Sequence, residues 1–257
     1  MVHKIGKLEQ SVLFLQDDRT KNYFPETVEY RKEKLEDFIK EYPFIYVKHD
    51  SSGQGRGVFR ISKSKQKGLY HIDGYTFFGV EVKALKSVNE IHKILNPFEK
   101  FGRLDPYIIQ EGITSTTLAG EPFNIRVHVQ KTEEGWIASG MCASYALPEH
   151  MEHGVINTTR GTKLISIEEL LGDKLGLKGE KFNQMRKKLG DVCISAAMVT
   201  DEQYPCLEIG VDIGITPSGH PMIFEINTTP GIKSFYKLNQ AMWNHIMDIR
   251  RARLKKQ

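Results

Sequence analysis

Hydrophobic and polar positions alternate most regularly near the C-terminal end of the chain. From Glu208 to Thr216 the even positions are Glu, Gly, Asp, Gly and Thr, while Ile209, Val211, Ile213 and Ile215 occupy the odd ones. This period of two predicts a strand with one apolar face. Met222, Phe224 and Ile226 alternate with Glu225 and Asn227, and Pro217-Ser218-Gly219-His220 supplies a turn between the two segments. A hairpin symmetric about Ser218-Gly219 pairs Val211 with Ile226, Ile213 with Phe224 and Ile215 with Met222. The same register sets Asp212 opposite Glu225 and Gly210 opposite Asn227, at the roughly 5 Å separation of cross-strand neighbours. Phe123-Asn-Ile-Arg-Val-His-Val129 also alternates strictly, turning Asn124, Arg126 and His128 away from the core.

The rest of the pattern is coarser. Thr27 is read as the cap of a helix reaching Tyr42, with Tyr30, Leu35, Phe38 and Ile39 as an approximate apolar stripe. Phe44 to Lys48 follows as a strand, then the glycine-rich run Ser51 to Gly57. Short strands are expected at Val58 to Ile61, Leu69 to Ile72 and Tyr75 to Val80, a helix at Val88 to Leu95, and a strand at Tyr107 to Gln110 that ends at Glu111-Gly112. Strands resume from Phe123 to about Gln130 and from Trp136 to Tyr145. Helices are expected over Ile167 to Leu171, over Phe182 to Met198, and from about Phe235 onward. No repeat or low-complexity tract interrupts this order. It describes an α+β chain in two lobes, the smaller at approximately residues 40–112 and the other formed by residues 1–39 and 113–257.

A chain of 257 residues, 40% hydrophobic and 26% charged, can bury a core of its own. Cys142, Cys193 and Cys206 show no ligand or redox spacing and read as small buried residues of a reducing compartment. No stretch approaches the roughly 20 apolar residues of a membrane span, and the first residues lack the apolar core of a secretory signal. A cytoplasmic location is therefore expected. The net charge of +4 is concentrated in the run from Arg250 to Lys256, read as a solubilised helix end. No RNA-binding motif with interleaved aromatics is present.

Four segments carry candidate chemistry. Asp212, Glu225 and Asn227 offer carboxylate and amide oxygens on one face, a donor set that suits Mg2+ rather than zinc or copper. Taken alone, an acidic pair on a hairpin is equally consistent with a solvated face. Lys48, followed by Ser51, Ser52, Gly53, Gly55 and Gly57, provides a cation and a run of backbone N–H groups able to wrap phosphate oxygens. It is not a Walker loop, and taken alone it also reads as a mobile hairpin loop. Tyr107 to Ile113 is an apolar strand ending in a turn. Arg126, otherwise a solvated strand residue, could hold phosphoryl oxygens bidentately.

Glu208-Ile-Gly-Val-Asp-Ile together with Phe224-Glu-Ile-Asn-Thr-Thr-Pro-Gly231 resembles the metal-binding signature of the ATP-grasp superfamily, and within it the YheC/YheD group associated with endospore coats. The resemblance covers nearly the whole sequence and implies an α+β ATP-grasp fold, two lobes clasping ATP. It implies that Asp212, Glu225 and Asn227 bind Mg2+, that Lys48 and the loop Ser51–Gly57 close over the phosphates, and that Glu111, Gly112 and Ile113 line the base. Arg126 then stabilises the transferring phosphate, while Asn157, Arg160 and Lys163 lie beside the acceptor. Lys4 or Lys7 matches a first ATP lysine, and Glu121 is a candidate for the ribose. The activity implied is ligation of a carboxylate to an amine or thiol through an acyl phosphate, with phosphotransfer or nucleotide binding without turnover as alternatives. Departures are Gly210, where D-alanine ligases keep an arginine, Thr162 in place of a second glycine, and His153 and Val155 where relatives often have arginine. The small domain that usually precedes this fold is missing from the sequence, which implies a partner protein or a large substrate such as a peptide.

Overall fold

The computed structural model describes residues 5–53, 55–147 and 161–254. In chain order the elements are α1 (Lys7–Gln16), β1 (Thr27–Glu29), α2 (Lys32–Glu41), β2 (Phe44–His49), β3 (Val58–Lys63), β4 (Tyr70–Tyr75), β5 (Glu81–Lys86), α3 (Val88–Leu95) and β6 (Tyr107–Glu111). There follow β7 (Phe123–Thr132), β8 (Gly135–Ala146), β9 (Thr162–Ser166), a π-helical turn at Glu169–Lys174, α4 (Gly179–Gln203), β10 (Glu208–Ile215), β11 (Pro221–Asn227), α5 (Lys233–Leu238) and α6 (Gln240–Leu254).

Two antiparallel sheets organise them. The first has the order β1-β6-β2-β3-β4-β5 and the second β11-β10-β7-β8-β9. On β2, Ile45 and Val47 point into a core with Leu35, Phe38 and Ile39 of α2 and Ile91 and Leu95 of α3. Phe44, Tyr46 and Lys48 therefore project from the opposite face. On the second sheet Ile125, Val127 and Val129 of β7 and Ile209, Val211 and Ile213 of β10 form the larger core with α1 and the long helix α4. The other face of this sheet is divided. Over β7 and β8, α5 and α6 cover it, with Phe235 and Ile246 packed on Cys142. The remainder opens toward the first sheet.

Local chemistry accounts for several boundaries. Ser87 and Glu90 form a reciprocal capping box at the start of α3, the Ser87 N–H donating to Glu90 Oε2 at 3.0 Å, which fixes that helix where the apolar spacing places it. All three cysteines are buried and free, and burial pushes the thiols of Cys142 and Cys206 up to about 12 and about 11. They are packing residues.

Four expectations are corrected. Thr27 does not cap a helix. It lies in β1, opposite Gln110 of β6, and the helix begins only at Lys32. Tyr75 to Val80 is not a strand of its own: Tyr75 ends β4, Gly79 has φ +82° and Thr76 N–H donates to Val80 O at 2.8 Å, so Phe77 and Phe78 lie in a turn and β5 starts at Glu81. The hairpin register holds for Gly210↔Asn227, Val211↔Ile226 and Asp212↔Glu225, but a bulge then shifts it, pairing Ile213 with Ile223 and Ile215 with Pro221. Phe224 is thereby turned out of the core. Finally, Arg250 and Arg253 are not a solvated helix end, for both grip Glu208.

Candidate functional site

A cleft of about 340 Å³ lies between the two sheets, with Lys48, Gly55 and Gln110 on one side and Asp212, Phe224 and Glu225 on the other. Its lining changes character along its length. One end is apolar and aromatic, with Phe44 and Tyr46 in edge contact at 5.8 Å and the Arg60 guanidinium 4.4 Å above the Phe44 ring. Phe224 faces them from β11 as a result of the bulge. Bulges bend a strand and re-aim a side chain at a site edge. The other end carries the charges.

There the pairing of three strands sets a row of functional groups. Arg126 on β7 lies directly opposite Asp212 on β10, which lies opposite Glu225 on β11. Arg126 donates from Nε and Nη2 to the two Asp212 oxygens, each at 2.7 Å. This bidentate pair, with the nearby Glu225, holds the guanidinium pKa above its ordinary value against the cost of burial. Gly210 makes the geometry possible. A Cβ there would stand 2.8 Å from Pro230 Cβ and 2.9 Å from Arg126 Nη1, so the volume of the missing side chain is filled by Arg126 itself. Asn227 continues the same face in the next row but is exposed, its Oδ1 accepting from the Thr229 N–H at 2.8 Å.

Lys48 reaches the charged end from the first sheet. Burial, the largest influence, pushes its pKa down to about 8; Glu225 and Asp212 pull it upward and Lys7 opposes them. Its ammonium donates to Gln110 Oε1 at 2.5 Å and lies 5.6 Å from the Tyr46 ring centroid. Among the described residues no carboxylate neutralises it by a salt bridge. Beside it, the glycine-rich loop turns back at Gly57, where φ is +62° and an added Cβ would stand 2.7 Å from His49 Cβ, leaving no room for a side chain. The buried Ser52 hydroxyl donates to His49 O at 3.0 Å, and the Ser51 hydroxyl lies 3.3 Å from His49 Nδ1. Lys7, in the first turn of α1, donates to Asp50 O and Ser52 O at 3.3 and 2.6 Å and also borders the cleft. Lys4 lies outside the described residues.

Two of the three amides expected to line the base are already bonded within the protein. Glu111 N–H donates to Glu26 O at 2.9 Å and Gly112 N–H to Phe44 O at 3.1 Å. Ile113 lines the cleft. Glu121, considered for a ribose, instead binds Thr117 at 2.8 Å and Lys174 at 2.9 Å. Lys163 is exposed opposite Tyr145, 3.8 Å from Glu169, on the face of the sheet away from Arg126, and the structure does not bring it to the cleft. Asn157 and Arg160 lie outside the described residues. Phe44, Tyr46, Arg60 and Phe224 were missed as lining residues. Phe44-Ile-Tyr-Val is apolar at every position, so hydrophobicity alone cannot tell its two faces apart.

The donor set tests whether Mg2+ fits. Among the described residues no three His, Cys, Asp or Glu side chains cluster as a metal cage. Asp212 and Glu225 alone would therefore leave most coordination positions to phosphate oxygens and water, the usual habit of Mg2+ with nucleotides. Asp212 is fully engaged by Arg126, yet each carboxylate oxygen retains a second acceptor direction. Hard oxygens that border the cleft opposite Lys48 fit the ion.

Comparison with known proteins gives the family. The profile of the YheC/D-like ATP-grasp family matches residues 4–249. The chain belongs to that family. It is 25% identical over 234 residues to the endospore coat-associated protein YheD of Bacillus subtilis (strain 168), covering 87% of this chain and 48% of that one. Against YheC of the same organism the identity is 23% over 223 residues, covering 84% and 57%. The chain thus spans about half the length of these curated relatives. Among solved structures it is similar to the ATP-grasp ligase PsnB complexed with precursor peptide PsnA2 and AMPPNP. The TM-score is 0.49 and the identity 13%, covering 96% of this chain and 59% of that one. The two-sheet α+β architecture is the ATP-grasp fold. Among the described residues no helix is long and apolar enough to cross a membrane.

Proposed function

We propose that this chain is an ATP-dependent ligase that activates a carboxylate as an acyl phosphate and joins it to an amine or thiol, using Mg2+. The observation that carries this reading is the convergence of Lys48, Arg126, Asp212 and Glu225 at one end of a cleft whose other end is aromatic. The base would lie between Phe44 and Tyr46 on one side and Phe224 on the other, with the Ile113 amide as edge donor. Its triphosphate would extend toward Lys48 and the glycine-rich loop. Asp212, Glu225 and Asn227 would hold the metal, which supplies charge neutralisation on the phosphates.

In this reading Lys48 and the loop amides hold the phosphate oxygens, and Arg126 stabilises the charge that develops on the group in transit. A carboxylate oxygen of the donor attacks the γ-phosphorus; the bond to the β-phosphate oxygen breaks and ADP leaves. The acceptor amine or thiol then attacks the acyl carbon, the bond to phosphate breaks, and a proton is lost to solvent. The names of the curated relatives make a spore-coat component a reasonable choice of substrate. A partner protein that completes the acceptor site belongs to the same proposal, as does a cytoplasmic site of action; nucleic acid does not.

Hydroxylamine trapping tests the reading. Protein with Mg-ATP and a pool of amino acids, peptides and spore extract is assayed for ADP and hydroxamates by mass spectrometry, with Glu225→Gln as control. A hydroxamate made only by the parent protein supports the ligase and names the donor. ADP without hydroxamate would replace it with phosphotransfer to a hydroxyl, and neither product would favour a nucleotide-binding assembly protein.

A further inference from the structure

A chain of hydrogen bonds runs from the edge of the first sheet into the cleft. The Thr27 hydroxyl donates to Pro25 O at 2.9 Å. Its only proton is thereby spent, so toward Gln110 the Thr27 oxygen can act solely as an acceptor. Gln110 Nε2 occupies that acceptor position at 2.9 Å. With its NH2 end fixed on Thr27, the amide must present Oε1 to the other side, where Lys48 Nζ donates to it. A flipped amide would set NH2 against the ammonium, donor against donor, and would leave Thr27 facing a second acceptor. Gln110 and Thr27 are 3% and 7% exposed, so water is a poor substitute for either bond.

The choice of a neutral acceptor matters. A carboxylate at position 110 would hold Lys48 equally well but would cancel its charge. An amide oxygen anchors the ammonium and leaves its field directed at the cleft, where Lys48, Gln110 and Glu225 share one cavity.

We infer that Gln110, oriented by Thr27, is a positioning residue that holds Lys48 toward the nucleotide phosphates without neutralising it. This rests on the reading of Lys48 as a phosphate-binding group. The relay joins three strands, since Thr27 and Gln110 face each other across β1 and β6 and Gln110 faces Tyr46 across β6 and β2, the strand that carries Lys48. It gives the three-residue strand β1 a role in binding.

Calorimetric titration of the whole chain with Mg-AMPPNP, alongside melting temperatures, tests the relay. Gln110→Glu keeps shape and retains a hydrogen bond to Lys48, so a purely structural role for Gln110 predicts unchanged affinity. The relay predicts a loss of about tenfold with little change in melting temperature. Thr27→Val, which keeps shape but lets the amide turn, should weaken binding about threefold, and Thr27→Ser should restore it. Parent-like affinity in both Gln110→Glu and Thr27→Val, with Lys48→Ala impaired, would overturn the relay and leave the Lys48 assignment standing. Parent-like affinity in Lys48→Ala would overturn both.

Discussion

Asp212 and Glu208 lie on one face of one strand, four positions apart, and each is gripped by arginine. Arg126 clasps Asp212 with two bonds of 2.7 Å; Arg250 clasps Glu208 at 2.9 and 2.6 Å, and Arg253 adds a third contact at 3.1 Å. The difference lies in what covers them. Glu208 sits under α6 beside the fully buried His128 and Gln130, whereas Asp212 opens on the cleft. Burial tends to raise the Glu208 pKa, but bonds from its cationic neighbours outweigh it and hold the carboxyl well below its usual range. The same pair chemistry therefore acts as a covered clamp in one place and, in the other, leaves a carboxylate facing the cleft, where the proposed function gives it a metal to hold. A roof of helix decides which.

That contrast can be broken in order of expected effect. Glu225→Gln, or Asn227→Ala, should reduce Mg-ATP turnover about a thousandfold while shifting the melting temperature by only a few degrees. Full activity in either variant would remove the metal assignment. Glu208→Gln should do the reverse, costing about 3 kcal/mol in urea denaturation because two guanidinium groups lose their shared counter-charge, with kcat of the folded protein unchanged.

Acid sharpens the same comparison. The Glu208 pKa is depressed on folding, so its stabilisation is complete above the unfolded value of about 4.3 and is lost as pH falls through the folded value. His128 is displaced in the opposite chemical sense: burial disfavours its charged form, and Nε2 stands 3.5 Å from Glu208 Oε2, too far for a good bond. Its protonation in the unfolded chain therefore withdraws stability as pH drops below about 6.5. Urea midpoints should decline from that point, and in Glu208→Gln the further decline below about pH 4 should flatten. The smallest effect is expected at the aromatic end, where Phe224→Leu should weaken nucleotide binding about fivefold without altering turnover at saturation.

The alternating strands were the most legible part of the sequence, because β7 and β10 each bury one face and spare the other. Asp212 opposite Glu225 followed directly from that alternation. Phe224 did not, since a bulge changes the parity of a strand without leaving a mark in its period. The pairing of Thr27 with Gln110, 83 positions away, and of Arg250 with Glu208, 42 positions away, were equally invisible, for nothing local to either residue specifies its partner. The aromatic run Tyr75 to Val80 misled in the other direction. Its β propensity is strong, but a positive φ at Gly79 turns the chain.

The contact between α1 and the start of the glycine-rich loop ties the two sheets together. Leu8 N–H donates to Asp50 Oδ1 at 2.8 Å, and Lys7 holds two carbonyls of the same loop, while Leu13 and Phe14 bury the far end of α1 in the core beneath the second sheet. The loop cannot lift from the cleft unless these bonds break. In the proposed function, releasing the nucleotide past this loop would require the first turn of α1 to give up those bonds, so a helix anchored under the second sheet would help set how fast the nucleotide leaves.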